Sequence, residues 1–334
     1  MLVRSRRSIS HTSLAAALLL FGLGTVLAQN SPAPGNPPTP DTFAEDAKHF
    51  EYNATAPLDV KELSVESRGN ATVHDITYAS PSGGAVPAYL VVPKANGKFG
   101  AILWGHWMMP GSPMSNKKEF LDEAVALAPA GVVSLLIDAP QAREGFKPGP
   151  SSAIIAQQVI DLRRGMDLLL SRSDVDPRRI AYVGHSWNTG TGAILDAVDK
   201  RFAAFVFMSG PQSVKELVLD SDSPRMVAMR KTADLTKLAQ NLQSVAWTDA
   251  ASYAAHLGPA PVFFQYAMHD EDWCPLQDAK DYYAMSSGQK LAKFYDSGHA
   301  LNAEARRDRF SFLSNHLALQ PLPPSALDSV PQTK

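Results

Sequence analysis

The stretch that most narrows what this chain can fold into is Arg179-Ile180-Ala181-Tyr182-Val183-Gly184-His185-Ser186-Trp187-Asn188-Thr189-Gly190. Its apolar run, 180–183, reads as a buried strand that breaks at Gly184. The small residues Thr191-Gly192-Ala193-Ile194-Leu195 then read as a helix. A Gly-x-Ser held between a strand and a helix is the nucleophile-elbow pattern. So tight a turn needs a residue without a Cβ at Gly184, because the serine backbone is strained and closely packed. The turn lifts the Ser186 hydroxyl out of the sheet edge, and the helix N-terminus behind it favours developing negative charge. Gly-His-Ser alone occurs by chance, so the weight rests on its strand–turn–helix setting. The pattern usually carries a second glycine two places after the serine, where this chain has Asn188. An asparagine fits there if its amide bonds to nearby backbone or if the helix sits slightly farther from its neighbouring strand. The small neighbours Thr189 and Gly190 are expected to absorb the change.

Strands and helices alternate around this stretch. Two strands, 73–78 and 86–92, flank the turn-rich Ser80-Pro81-Ser82-Gly83-Gly84 and read as an antiparallel edge pair. Unbroken apolar runs at 101–104, 132–137, 202–208 and 261–266 are the mark of strands buried on both faces, as in a parallel sheet. Helices are expected over 119–130, 155–169, 276–285 and 302–317, with a last strand over 291–295. This order predicts a mostly parallel, doubly wound α/β sheet. Residues 211–259 interrupt it with helical patches and no convincing strand. They are expected to form a lid or cap, the alternative being an ordinary crossover with a long loop.

The chain has 334 residues, 45% of them hydrophobic, enough for one large α/β domain or two small ones. Residues 1–28 have the layout of a secretory signal: Arg4, Arg6 and Arg7, an apolar core over 14–27, and Val26-Leu27-Ala28 as a cleavage site. That core is short for a membrane span, and no other stretch approaches one. Export, periplasmic or secreted, is therefore expected, and twin-arginine export is hinted at by Arg6-Arg7. Residues 29–42 carry Pro32, Pro34, Pro37, Pro38 and Pro40 and read as an extended linker. The folded domain is expected over 43–319, and 320–334 as a disordered tail. A single cysteine, Cys274, excludes an intramolecular disulfide. The formal charge of −2 gives no basic footprint for nucleic acid. Histidines are scattered rather than spaced as ligands, and no phosphate-binding loop or dinucleotide fingerprint appears, so no metal or cofactor is expected.

A serine hydroxyl needs a base to take its proton, and the base needs a carboxylate to fix its tautomer. In open α/β sheets such groups gather beyond the carboxyl ends of the strands. Ser186, Asp270 and His299 each follow an expected strand, in the order Ser…Asp…His. Asp272 competes with Asp270 as the acid, and Asp138 ends another strand. His269 reads as a neighbour of the acid, and the His185 side chain should point away from the Ser186 hydroxyl. Asp296 reads as a brace for the His299 loop. Backbone N–H donors for an oxyanion are expected at Trp187 and at Trp107 or Met108. His106 and Trp273 are expected to touch substrate.

At Gly105-His106-Trp107, Gly184-His185-Ser186-Trp187, Asp270-Glu271 and Tyr295-Asp296-Ser297-Gly298-His299, the chain resembles the α/β-hydrolase superfamily. Within it the nearest likeness is to the dienelactone hydrolase-like and prolyl oligopeptidase-like esterase branch, over about 71–317. The resemblance implies an α/β-hydrolase fold with about eight strands. It also implies hydrolysis of a small-molecule ester, thioester or amide through an acyl-enzyme, without a cofactor. It departs from the family at His106-Trp107, where His-Gly is usual, and at Asn188. A carboxylesterase is the leading expectation; a peptidase or amidase, or an inactive binding module on the same fold, are the alternatives.

Overall fold

The computed structural model describes residues 41–108, 112–147 and 151–331. The expected signal sequence and residues 29–40 of the expected linker lie outside them. From Thr42 onward the described chain is one folded unit. Its sheet has nine strands: β1 (Lys61–Arg68), β2 (Ala71–Ala79), β3 (Ala85–Pro93), β4 (Phe99–Gly105), β5 (Val132–Ile137), β6 (Val175–His185), β7 (Ala204–Met208), β8 (Val262–Ala267) and β9 (Lys290–Tyr295). Their order is β1-β2-β3-β5-β4-β6-β7-β8-β9. The first four in that order pair antiparallel. Every pairing from β5 across to β9 is parallel.

Every residue of β4, β5, β7 and β8 is buried, as their continuous apolar runs require. The period of two sorts them into two layers. Leu103, Leu135, Tyr182 and Phe205 pack beside Leu162 and Met166 of the helix Ser151–Leu170 and Leu195 of the helix Trp187–Val198. Ile102, Trp104, Leu136 and Val206 pack beside Leu127 and Leu313, from the helices Leu121–Leu127 and Ala303–Leu317. Each such side chain contributes roughly 1.5–3 kcal/mol on burial, so both faces of the sheet are held and its central strands cannot slide. This is the doubly wound architecture.

The structure corrects three expectations. The pair β2–β3 is not the sheet edge: β1 lies outside it, with seven exposed residues and one half-buried. Residues 320–331 are ordered rather than a disordered tail. Pro324–Asp328 is helical, Leu327 is buried in the core, and Arg306 donates from Nη1 to the carbonyls of Leu327 and Val330, both at 3.0 Å. The helix expected from Glu119 begins at Leu121, leaving Glu119 ahead of it and buried.

Between β7 and β8 the chain forms the helices Val214–Leu219, Pro224–Arg230 and Leu235–Ser244, then the 3-10 segments Ala246–Thr248 and Ala250–His256, with no strand. Each of the three helices starts on a side-chain cap. Ser213, Ser223 and Asp234 accept from the N–H groups of Glu216, Met226 and Lys237, which satisfies otherwise orphaned donors.

Candidate active site

The elbow is built as its sequence requires. Ser186 sits at φ 55° and ψ −118°, a strained conformation for a residue with a side chain. It is held by its own N–H donating to the Met208 carbonyl at 2.8 Å. Its carbonyl accepts from the Thr189 N–H at 2.8 Å and hydroxyl at 2.5 Å. A Cβ on Gly184 would stand 2.8 Å from Tyr182 Cε1 and would also strike the Asn188 backbone, so only glycine fits there.

Beyond the ends of β6, β8 and β9 three side chains meet. His299 Nε2 lies 2.7 Å from Ser186 Oγ, and His299 Nδ1 lies 2.6 Å from Asp270 Oδ2. A carboxylate can only accept, so Nδ1 carries the proton and Nε2 is left to accept from the hydroxyl. The Trp273 N–H donates to Asp270 Oδ1 at 3.2 Å. Asp270 is 5% exposed, whereas Asp272 is exposed and engages its neighbours through its backbone carbonyl, which accepts from Ser223. Asp138 is bonded elsewhere, to the Lys117 N–H at 2.6 Å, and burial raises its carboxyl above the usual range. His269 pairs at the surface with Asp296 at 2.6 Å. The His185 ring turns away from the hydroxyl, toward Glu119.

Two of the expected site residues fall in different places. The Trp107 N–H is taken by the Glu119 carboxylate, Oε2, at 2.6 Å, so it is not free to meet an oxyanion. His106 is 2% exposed and does not line the cavity beside Ser186. Its Nδ1 donates to the Trp107 carbonyl at 2.6 Å, and its Nε2 accepts from the Ala139 N–H at 2.9 Å. Burial pushes this imidazole below its usual pKa, in keeping with the neutral tautomer those bonds demand. His106 therefore shapes the loop after β4 rather than touching substrate. Met108 and Trp187 do line the cavity with Ser186. Trp187 is the first residue of its helix, where an N–H has no intrahelical partner. No acceptor among the described residues meets the Met108 N–H.

The cavity holds about 210 Å³ and its walls are mainly apolar, with Ile155, Pro211, Leu217, Ala250 and Trp273 among them. Pro211 and Leu217 come from the insertion after β7. The Arg225 guanidinium lies over the Trp273 ring, 4.3 Å from its centroid.

Asn188 is fully buried and fully engaged. Its Nδ2 donates to the His106 carbonyl at 2.5 Å, and its Oδ1 accepts from Gln158 Nε2 at 2.8 Å and from the Thr191 hydroxyl at 3.0 Å. The room is made across the sheet, not by Thr189 and Gly190. A Cβ on Gly105 would stand 2.7 Å from Asn188 Cγ, so a missing side chain on β4 matches the added one on the elbow helix. Asn188 thus ties that helix to the loop carrying Met108. Replacing Asn188 by Gly should cost about 2–3 kcal/mol of stability, because Gln158 and the His106 carbonyl lose buried partners, and should lower kcat/KM about tenfold. Thermal melts and ester kinetics check this; unchanged stability would show that the three bonds contribute nothing net.

No protein-family model matches the sequence, and no curated protein does. Among solved structures, the chain is similar to an acetyl xylan esterase from Paenibacillus sp. R4, with TM-score 0.67 and 19% identity over 83% of this chain and 94% of that one. It is also similar to a glucuronoyl esterase from Solibacter usitatus, with TM-score 0.58 and 17% identity over 82% and 92% of the two chains. A third is the α/β hydrolase GrgF from Penicillium sp. sh18, with TM-score 0.55 and 16% identity over 73% and 98%. Identities this low speak to architecture alone, and with the sheet order and the elbow in view that architecture is the α/β-hydrolase fold.

Proposed function

We propose that the protein is an exported serine hydrolase that cleaves carboxylic esters of small or medium acyl groups. One observation carries this reading: the unbroken hydrogen-bond chain Ser186–His299–Asp270 opens into an apolar cavity lined by Met108 and Trp187, whose N–H groups meet no acceptor among the described residues. His299 Nε2 takes the Ser186 proton as Oγ attacks the ester carbonyl carbon. The oxyanion that forms is held by the Met108 and Trp187 N–H groups. Asp270 stabilises the imidazolium, which then protonates the departing alkoxide oxygen, leaving an acyl group on Ser186. Water repeats the sequence and releases the acid. The apolar walls suit an acyl chain, and two of the similar structures are named as esterases. The complete accommodation of Asn188 removes the one sequence feature that favoured an inactive binding module. Export is supported by the charge and hydropathy pattern of residues 1–28.

The test is a series of p-nitrophenyl esters of increasing chain length beside matched peptidyl anilides, with a fluorophosphonate probe on the same preparation. Ester hydrolysis that outpaces anilide hydrolysis, together with probe attachment to Ser186, is the expected result. A protein that takes up no probe and hydrolyses no ester would overturn the assignment. Export is read by fractionating cells that produce the full chain: mature protein beginning near Gln29 outside the cytoplasm is expected.

A further inference from the structure

The loop that carries the base and the loop that carries an oxyanion donor are joined by a second, fully buried pair of titratable groups. Glu119 Oε2 accepts from the Trp107 N–H at 2.6 Å, one residue before Met108. Glu119 Oε1 lies 2.5 Å from His185 Nδ1, and His185 Nε2 lies 3.0 Å from the His299 carbonyl oxygen. That same carbonyl also accepts from the Ser209 hydroxyl at 2.5 Å. The His185 ring is 0% exposed and packs against both Trp107 and His299, with centroids 5.3 and 5.2 Å away and those two rings 6.1 Å from each other. We propose that Glu119 and His185 are a positioning pair that sets the base loop and the oxyanion loop relative to one another, and that they do so by retaining one proton between them. The proposal rests on the assignment of His299 as base and Met108 as oxyanion donor.

The proton count follows from donor and acceptor inventory. A carboxylate and a carbonyl oxygen only accept, and His185 has one of each at its two ring nitrogens. Both contacts are satisfied only if the unit holds one proton more than a neutral imidazole beside a carboxylate, located on His185 Nδ1 or on Glu119. Loss of that proton would set a nitrogen lone pair against a carboxylate oxygen within a buried pair. One of the two loops must then give way. Among the described residues, the groups facing the pair leave it without another donor for Nδ1. Around His185 are the rings of Trp107, Phe120 and His299, with Asp270 behind the last. On the far side of Glu119, a cavity of about 20 Å³ is shared with Glu123, Arg306 and Arg309, and both arginines are paired with Glu123. His106 nearby stays neutral.

Glu119→Gln separates this role from simple packing. A glutamine can accept the Trp107 N–H with Oε1 and donate from Nε2 to an unprotonated His185 Nδ1, keeping every contact with no proton to lose. At neutral pH its kcat/KM should stay within about threefold of the wild type. Glu119→Ala, which abandons both contacts, should lose at least about thirtyfold. Proton NMR supplies a readout that needs no turnover. A far-downfield resonance that survives Asp270→Asn and vanishes in Glu119→Gln is expected from the shared proton. A downfield spectrum that Glu119→Gln leaves unaltered, or a Glu119→Ala variant as active as the wild type, overturns the proposal. A wild type without esterase activity would defeat the proposed function, and the spectrum would still decide the pair.

Discussion

Ser186→Ala is expected to lower kcat on a simple ester by about a millionfold, equivalent to roughly 8 kcal/mol of transition-state stabilisation, with the fold unchanged. Among the described residues the side chain of Ser186 has one hydrogen-bond partner, His299 Nε2, and it sits at a cavity wall rather than in the core. Its strained turn is held by backbone contacts to Met208 and Thr189, which alanine keeps. Stability should therefore move by less than about 1 kcal/mol. What remains of catalysis would come from the Met108 and Trp187 N–H groups and from binding, and would act on a water molecule. Fluorophosphonate labelling followed by intact-mass measurement is the decisive check. A probe adduct that persists in the alanine variant would move the nucleophile elsewhere and with it the whole geometry of the reaction.

The features that the sequence made legible are those in which local pattern and global position coincide. Strands buried on both faces leave continuous apolar runs, so β4, β5, β7 and β8 stand out, and the residues just beyond them fall at the sheet's carboxyl edge. Asp270 falls at that edge beyond β8, whereas Ser186 was marked by the elbow pattern and His299 by its place after the last strand in the order Ser…Asp…His. Strand β1 was illegible because it lies outside the core and its apolar residues, Leu63 and Val65, are too few and too exposed to mark it. The tail was hidden by its prolines: Leu327 and the carbonyls that bind Arg306 anchor it, and composition does not report single anchors.

The oxyanion loop failed for a different reason. Trp107 and Met108 are adjacent and chemically equivalent as backbone donors, and only the position of Glu119, twelve residues on, decides between them. Glu119 itself read as the first turn of a helix, where an acidic residue is ordinary. A clue was available in its company, since a carboxylate next to an apolar helix start and a histidine inside the elbow are both costly to bury unless paired. Asn188 shows the same dependence on distant residues. Its acceptability is set by Gly105, across the sheet, rather than by the neighbours that follow it.

Asp270→Asn is expected to lower kcat/KM by about ten-thousandfold, and Asp272→Asn by no more than about threefold. The reason is more specific than loss of charge. Asp270 uses both oxygens: Oδ2 accepts from His299 Nδ1–H and Oδ1 accepts from the Trp273 N–H. An asparagine has one oxygen, and Trp273 is a fixed backbone donor, while the imidazole can change tautomer. The amide oxygen will therefore turn to Trp273 and its NH2 to His299. That forces the ring proton onto Nε2, the nitrogen that must accept from Ser186. The base is then silenced in place, with its position kept and its chemistry reversed. Nitrogen-detected NMR of the histidines should show His299 as the Nδ1–H tautomer in the wild type and the Nε2–H tautomer in Asp270→Asn. Asp272, exposed and engaged among the described residues through its backbone carbonyl, offers no route to either nitrogen. A larger loss at Asp272 than at Asp270 would reverse the assignment of the acid.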